Sequence, residues 1–264
     1  MTDRRHDRDR TIAITGATGN VGRQAIEAVG DENCRLFSHS EHEDIDTETF
    51  DIADHDAFVD ALDGVDVLIH LAANPSPRAD WEAVRGANVD GVYNAFEAAV
   101  RNDLERVVFA SSNHAVNGDT IVGPNRVETT DGDPDIVRPD GASSPDSYYG
   151  VSKVFGEAMG KYYARRYGLE VVSLRVGWLL SADELQAVCA ERDGAGERYA
   201  RAMWLSEGDC RRALEASVNA SLSRPAVTAH GISNNSDRFL SLAETMHELE
   251  YRPRDDSSAV LEGT

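Results

Sequence analysis

Short runs of apolar, β-branched residues alternate along the chain with longer amphipathic segments. Strands that alternate with helices of about ten or more residues form parallel βαβ units, and continuously apolar strands suit a sheet covered on both faces. The alternation therefore predicts an α/β protein built on a doubly wound parallel sheet. The expected strands are Thr11–Thr15, Cys34–Phe37, Val65–Ala73, Arg106–Ser112, Glu170–Val176 and a late strand within Pro225–Ile232, and the expected helices are Asn20–Val29, Asp54–Leu62, Trp81–Val100 and one within Ser147–Gly168.

The strict alternation ends after Val176. Two more helices are expected beyond it, one over Trp204–Val218 with Ser206 placed to cap it, and one over Leu240–Tyr251. The stretch 113–147 is polar and rich in Gly, Pro and Asp, and its length marks it as a candidate functional loop. The predicted organisation is a disordered tail 1–10, a main domain 11–176, a smaller lobe 177–252 and a second tail 253–264.

The chain is strongly acidic, with a formal net charge of −21. Such a surface repels nucleic acid and anionic membranes, so neither is expected as a partner. Self-repulsion also destabilises the compact state unless salt screens it, and at molar salt the Debye length falls to about 3 Å. The composition therefore predicts a halophilic protein that works in a salt-rich cytoplasm.

The cysteines give no sign of a metal site or a disulfide framework. Cys34, Cys189 and Cys210 are far apart, and no C-x-x-C occurs, which is typical of a reducing compartment. The N-terminal residues are charged with no apolar run after them, unlike a signal peptide. No apolar run approaches the roughly 20 residues that cross a bilayer. We expect a soluble, cytoplasmic protein.

A glycine pattern follows the first expected strand. Gly16, Gly19 and Gly22 are spaced G-x-x-G-x-x-G where a helix is expected to begin. Glycines allow the tight turn there, and they let backbone N–H groups approach a pyrophosphate at the helix N-terminus. The motif predicts a dinucleotide-binding Rossmann domain over 11–176, with the smaller lobe left to bind substrate.

Tyr149 and Lys153 are four residues apart, so they share one face of the expected helix. A free tyrosine titrates near pH 10, and a nearby ammonium lowers that pKa enough to make the phenol a useful base. The chain has only two lysines, Lys153 and Lys161, among 26 basic residues, which favours a specific role for Lys153. An ordinary exposed lysine on an amphipathic helix would give the same spacing.

Two serines, Ser111 and Ser112, end the strand Arg106–Ser112. Ligands of open α/β sheets bind at the carboxyl ends of the strands. A serine hydroxyl there could polarise the group from which Tyr149 takes a proton. The alternative is a polar strand end that only begins a loop.

These motifs, in this order, resemble an extended short-chain dehydrogenase/reductase of the NAD-dependent epimerase/dehydratase group. The resemblance runs from about Thr11 to Arg252 and includes "HLAA" at 70–73 and Asn88. More narrowly, "FASSNHAVNG", "YYGVSKVFGE" and "MWLSEGDC" are similar to uronate dehydrogenases and to haloarchaeal NAD-dependent glucose-6-phosphate dehydrogenases.

The resemblance implies an NAD-dependent sugar dehydrogenase that oxidises C1 of an anionic hexose, a hexose 6-phosphate or a uronic acid, to the lactone. Tyr149 would be the base, Lys153 would lower its pKa and hold the ribose, and Ser112 would bind the reacting oxygen. The implied cofactor-binding residues are Gly16, Thr18, Gly19, Asn20, Val21, Gly22, Ser38, Asp51, Ile52, Leu71, Ala72, Ala73, Asn88, Ser111, Tyr149, Lys153 and Val176. The implied substrate-binding residues are Pro75, Ser112, Asn113, His114, Tyr149, Trp178, Arg198 and Arg201, and no metal is expected.

The sequence departs from the family pattern at several of these positions. The second strand ends in Ser38 and His39, without the acidic residue that binds a ribose 2′-hydroxyl, so NADP stays open beside NAD. Pro75 and Trp178 stand where uronate dehydrogenases place serines. Two other functions remain open in the same fold, a nucleotide-sugar epimerase or dehydratase and a protein that senses dinucleotide without turnover. Self-association into a homo-oligomer also remains open.

Overall fold

The sheet that the sequence predicts is present in the computed structural model, which describes residues 10–30, 32–123 and 125–263. Seven parallel strands form it in the order β3-β2-β1-β4-β5-β6-β9, and β7 and β8 form a separate parallel pair. The strands are β1 Ile12–Thr15, β2 Cys34–Ser38, β3 Glu48–Thr49, β4 Val67–His70, β5 Arg106–Ser112, β6 Glu170–Val176, β7 Trp178–Leu179, β8 Trp204–Leu205 and β9 Ala226–Gly231.

Helices cover both faces of the sheet. They are α1 Asn20–Val29, α2 His55–Ala61, α3 Trp81–Arg85, α4 Gly91–Arg101, α5 Tyr148–Tyr167, α6 Ala182–Glu191, α7 Gly194–Met203, α8 Glu207–Asn219, α9 Ala243–Leu249 and α10 Ser257–Glu262. One apolar core lies between the sheet and α1, α8 and α9, and a second lies between the sheet and α2, α4 and α5. Burial on both faces is what the continuously apolar strands require, so the doubly wound Rossmann fold is confirmed.

Helix α5 packs closely on β5, and this contact positions the candidate site. Gly156 faces Phe109, and a Cβ at Gly156 would lie 2.2 Å from the Phe109 ring. Only glycine allows this approach, which holds the N-terminal half of α5 over the carboxyl end of the sheet. Ser147 caps the helix by accepting a hydrogen bond from the Gly150 N–H, and Gly168 ends it in a left-handed conformation.

The expected helix Trp81–Val100 is interrupted. A π-helical turn, Gly86–Asp90, separates α3 from α4. Such turns within helices are frequent at functional sites. This one carries Asn88, a predicted site residue.

The structure differs from the expected division at residue 176 and from the expected tail 253–264. Strand β9 pairs with β6, so part of the expected lobe 177–252 belongs to the main sheet. Within the expected tail, Ser257 is buried in α10, where its hydroxyl donates to the Arg201 carbonyl. The expected disordered tail 1–10 lies outside the described residues except for Arg10. No helix in the described ranges is both long and apolar enough to span a bilayer.

Candidate active site

The glycine loop between β1 and α1 is held tightly by its own backbone. Gly16 has a φ of +71°, and a Cβ there would lie 2.9 Å from the Ala72 nitrogen. A Cβ at Gly22 would lie 2.2 Å from the Gly16 carbonyl oxygen. Gly19 is the residue before the first turn of α1, and a Cβ there would meet only the Gly16 oxygen, at 3.4 Å. Gly16 and Gly22 therefore serve packing, whereas Gly19 leaves open space at the helix N-terminus.

One cavity of about 910 Å³ connects this loop to the carboxyl ends of β4, β5 and β6. This is the edge at which ligands bind in open α/β sheets, and its size suits a large cofactor together with a small substrate. Most of the predicted site residues line it. They are Gly16, Thr18, Gly19, Asn20, Val21, Gly22, Ser38, Asp51, Ile52, Leu71, Ala72, Ala73, Pro75, Ser111, Ser112, Asn113, His114, Tyr149, Lys153, Val176 and Trp178.

Tyr149 and Lys153 project from one face of α5 into this cavity. Both are buried, and the Lys153 Nζ lies 5.4 Å from the centroid of the Tyr149 ring and 5.1 Å from that of Phe109. Burial raises the pKa of Tyr149 to about 12, although the hydrogen bond with Ser112 opposes the change. Burial also lowers the pKa of Lys153 to about 7.

The expected lowering of the Tyr149 pKa by Lys153 is therefore wrong for the cofactor-free protein. The spacing brings the two side chains together as predicted. However, desolvation penalises both the phenolate and the ammonium, and this effect outweighs any gain from their pairing. A phenol at about 12 beside an amine at about 7 rests as a neutral pair over much of the alkaline range.

The two serines at the end of β5 have different roles. Ser112 interacts with Tyr149 and accepts a hydrogen bond from the His114 N–H. The Ser111 hydroxyl donates instead to Glu157 at 2.6 Å, and Glu157 forms a bidentate ion pair with Arg175 beneath the site. Ser112 therefore faces the candidate chemistry, whereas the hydroxyl of Ser111 is held by the core.

A polar network lies beside Tyr149. The His114 Nδ1 is 2.7 Å from a carboxylate oxygen of Asp146, whose side chain is fully buried, and the His114 ring meets the Tyr149 ring edge-on at 5.6 Å. The Asn113 amide donates to the Tyr199 hydroxyl at 2.6 Å. Asp146 and Tyr199 were not predicted, because they lie far from the motif in sequence and no spacing links them to it.

Three predicted residues do not reach the cavity. Asn88 is buried, and its amide bonds both backbone groups of Asn74 and the Ser152 hydroxyl, so it fixes the loop after β4 against α5. Arg198 donates to the Thr130 carbonyl, and Arg201 pairs with Asp237 at 2.5 Å. Both arginines are held by the protein's own oxygens, and neither lines the cavity.

At the carboxyl end of β2, the Ser38 hydroxyl is also held by hydrogen bonds within the protein. It lies 2.6 Å from the Ser40 carbonyl and 2.7 Å from the Thr47 hydroxyl. His39 and the exposed Asp51 are the charged or titratable side chains on this part of the cavity wall. Asp51 therefore supplies a carboxylate near the cavity even though β2 itself ends without one.

The cavity also contains a carboxylate that sequence reasoning missed. Glu128, in the polar loop 113–147, lines the wall together with Trp178 and Tyr199. The only signal was the length and polarity of the loop, which marked the segment as functional without singling out a residue. Among the residues described, no cluster of His, Cys, Asp and Glu is arranged to hold a metal.

A parallel doubly wound sheet, a glycine loop at one end of the cavity and Ser112, Tyr149 and Lys153 at the other define the short-chain dehydrogenase/reductase class. Within that class, the model of the NAD dependent epimerase/dehydratase family matches residues 12–190. The chain belongs to this family.

Several sugar dehydrogenases are similar to this protein over nearly the whole chain. L-arabinose 1-dehydrogenase (NAD(P)(+)) of Haloferax volcanii is 48% identical, covering 95% of this chain and 99% of the relative. NAD-dependent glucose-6-phosphate dehydrogenase of the same organism is 35% identical over 95% of each chain. A mutant uronate dehydrogenase from Agrobacterium tumefaciens, solved with NAD, superposes with a TM-score of 0.77 at 25% identity, covering 96% of this chain and 88% of the other.

Proposed function

We propose that this chain is an NAD-dependent sugar dehydrogenase that oxidises the C1 hydroxyl of a cyclic aldose to the lactone. The observation that carries the proposal is the convergence of Ser112, Tyr149 and Lys153 at one end of the cavity whose other end is the glycine loop. The two similar proteins from Haloferax volcanii are sugar dehydrogenases by name, and they support the oxidation of a sugar as the reaction class.

The residues present fit a dinucleotide. Gly19 leaves open space at the N-terminus of α1, where the backbone N–H groups and the helix dipole favour a pyrophosphate. The backbone of Leu71, Ala72 and Ala73 continues the wall toward the catalytic end. NAD is the proposed cofactor, and NADP stays an alternative because β2 ends in Ser38 and His39 rather than in an acid.

A bound nicotinamide would supply the acceptor for the hydride that leaves C1. Tyr149 takes the proton of the C1 hydroxyl, so the carbon loses two electrons and becomes the lactone carbonyl. Ser112 lies beside Tyr149 and can hydrogen-bond the reacting oxygen. Lys153 lies close enough to stabilise the Tyr149 phenolate when its own side chain is protonated. Because burial raises the pKa of Tyr149 to about 12 and lowers that of Lys153 to about 7, the fraction of protein with a phenolate beside an ammonium rises with pH only up to about 7. We therefore expect turnover to rise with pH below about 7 and to level off above it.

The site gives little support to the expectation that the sugar is anionic. The resemblance implies an anionic hexose held by an arginine. Arg198 and Arg201 were the candidates, and both bind protein oxygens outside the cavity. An uncharged aldose needs no such arginine, and among the described residues no arginine lines the cavity.

A sugar panel tests the proposal. Purified protein in molar KCl is given NAD or NADP with neutral pentoses and hexoses, uronic acids and hexose 6-phosphates, and the absorbance of the reduced cofactor is followed. Steady reduction with at least one free sugar, and lactone or aldonic acid as product, is the expected result. Tightly held NAD with no net turnover on any free sugar would instead indicate an epimerase, and binding without chemistry would indicate a sensor.

We also propose that the protein is halophilic and works in a salt-rich cytoplasm. The net charge of −21 supports this, as do the two relatives from Haloferax volcanii. Self-association stays open, and size-exclusion chromatography with light scattering in molar KCl tests it.

A further inference from the structure

Glu128 stands on the cavity wall in an unusual backbone conformation. Its φ is +60°, in the left-handed region that glycine favours, and its carboxylate is largely shielded from solvent, with 12% of the side chain exposed. A non-glycine residue in this region is strained and persists only where surrounding contacts enforce it. The contacts that hold Glu128 are therefore informative.

Two arginines hold the carboxylate from one side. The Glu128 Oε2 lies 2.7 Å from an Arg78 nitrogen and 3.2 Å from an Arg192 nitrogen. Arg192 also donates to the Glu128 backbone carbonyl at 3.2 Å and stacks over the Trp178 ring at 4.5 Å. Both ion pairs use Oε2, and no hydrogen bond to Oε1 is found within the described part of the chain. One carboxylate oxygen is thus fixed and the other can accept a hydroxyl.

The charges around the cavity do not favour an anionic ligand at this end. Arg78 and Arg192 pair with the carboxylate, and neither of them lines the cavity. Among the described residues, the lining groups that can carry positive charge are Lys153, His39 and His114. The negative charge of Glu128 also acts on Tyr199, another residue of the cavity wall, and contributes to raising its pKa.

We infer that Glu128 selects uncharged aldoses, because its carboxylate accepts a sugar hydroxyl and repels the carboxylate of a uronic acid or the phosphate of a hexose phosphate. The inference rests on the proposed function and names the substrate class of the same site. A like charge brought next to a held carboxylate costs binding energy, whereas a hydroxyl that donates to it forms a charge-assisted hydrogen bond.

A purely structural role for Glu128 gives a different result. If the residue only joins the loop to Arg78 and Arg192, then its loss should weaken turnover of all sugars alike. If it selects by charge, then its loss should change the ratio between neutral and anionic sugars. The ratio of kcat/KM for a neutral pentose to that for a uronic acid is therefore the readout, with the inhibition constant of the uronic acid used where its turnover is too slow to measure.

The test compares Glu128→Gln with two other variants in molar KCl. Glu128→Gln removes the charge, keeps the shape and exposes the two arginines, so we expect the neutral-to-anionic ratio to fall by about tenfold or more. Glu128→Asp keeps the charge and should keep the discrimination. Glu197→Gln is the matched control, because Glu197 is a half-exposed carboxylate on α7 that does not line the cavity, and its ratio should equal that of the wild type.

Folding and cofactor binding are checked by thermal melting and by NADH fluorescence. If Glu128→Gln does not fold, then the ratio is measured for Arg192→Gln, which leaves the carboxylate less compensated and should raise the ratio above that of the wild type. An unchanged ratio in a folded, active Glu128→Gln would overturn the inference, as would a wild type that prefers uronic acids or hexose phosphates. A wild type that oxidises no sugar would overturn the proposed function instead.

Discussion

Replacing Lys153 with methionine tests the electrostatics of the buried pair. Lys153 is 3% exposed, and burial lowers its pKa from 10.5 to about 7. The unfolded chain therefore holds this proton more tightly than the folded protein does. At about 1.4 kcal/mol for each pKa unit, the difference corresponds to about 5 kcal/mol of destabilisation at a pH well below 7.

The sign of the pH dependence follows from which state binds the proton. Between about pH 7 and pH 10.5 the unfolded chain carries the proton and the folded protein does not, so the contribution of Lys153 to stability rises with pH across this window. Below about pH 7 the penalty is fully present. Lys153→Met lacks the group, so it should be more stable than the wild type at low pH, and this advantage should shrink as the pH rises.

The assay is urea unfolding of the cofactor-free protein in molar KCl from about pH 6 to about pH 9.5. Lys161→Met is the matched control, because Lys161 is the other lysine, lies on the same helix and is exposed. The difference in unfolding free energy between Lys161→Met and the wild type should not vary with pH. A difference between Lys153→Met and the wild type that is equally independent of pH would refute the reasoning.

Two further predictions concern the core and the surface. Glu157→Gln should cost about 3–5 kcal/mol in urea unfolding, because it leaves Arg175 charged and buried, whereas the double variant Glu157→Leu/Arg175→Met should recover most of that loss; a single variant within about 1 kcal/mol of the wild type would contradict this. The melting temperature of the wild type should rise between low salt and molar KCl, because the net charge of −21 is then screened. A melting temperature that falls or stays constant would count against the halophilic assignment.

Local pattern was enough to predict the sheet and the central pair of the site. Strand alternation and apolar runs are local properties, and the four-residue spacing of Tyr149 and Lys153 fixes their shared face on any helix. Helices α6 and α7 were missed, although a capping box at Ser181 and Glu184 marks the start of α6. That signal is readable in sequence as S-x-x-E.

The pKa values and the arginines could not be predicted, because they depend on contacts between distant parts of the chain. The pKa of Lys153 depends on how deeply α5 is buried against β5, and spacing alone does not give that depth. Arg198 and Arg201 are bound by Thr130 and Asp237, partners that no motif indicates. The backbone at Glu128 is held by arginines from two other segments, so its place on the cavity wall appears only in the folded chain.

The most direct test of whether Tyr149 is the base is the kcat of Tyr149→Phe, compared with that of Tyr148→Phe. Tyr148 is the exposed neighbour on the same helix, so its variant controls for loss of a phenol at the start of α5. With the best sugar from the panel, Tyr149→Phe should lose at least about 100-fold in kcat while NADH binding stays nearly unchanged, and Tyr148→Phe should match the wild type. A Tyr149→Phe enzyme that keeps kcat within a few-fold of the wild type would contradict the account.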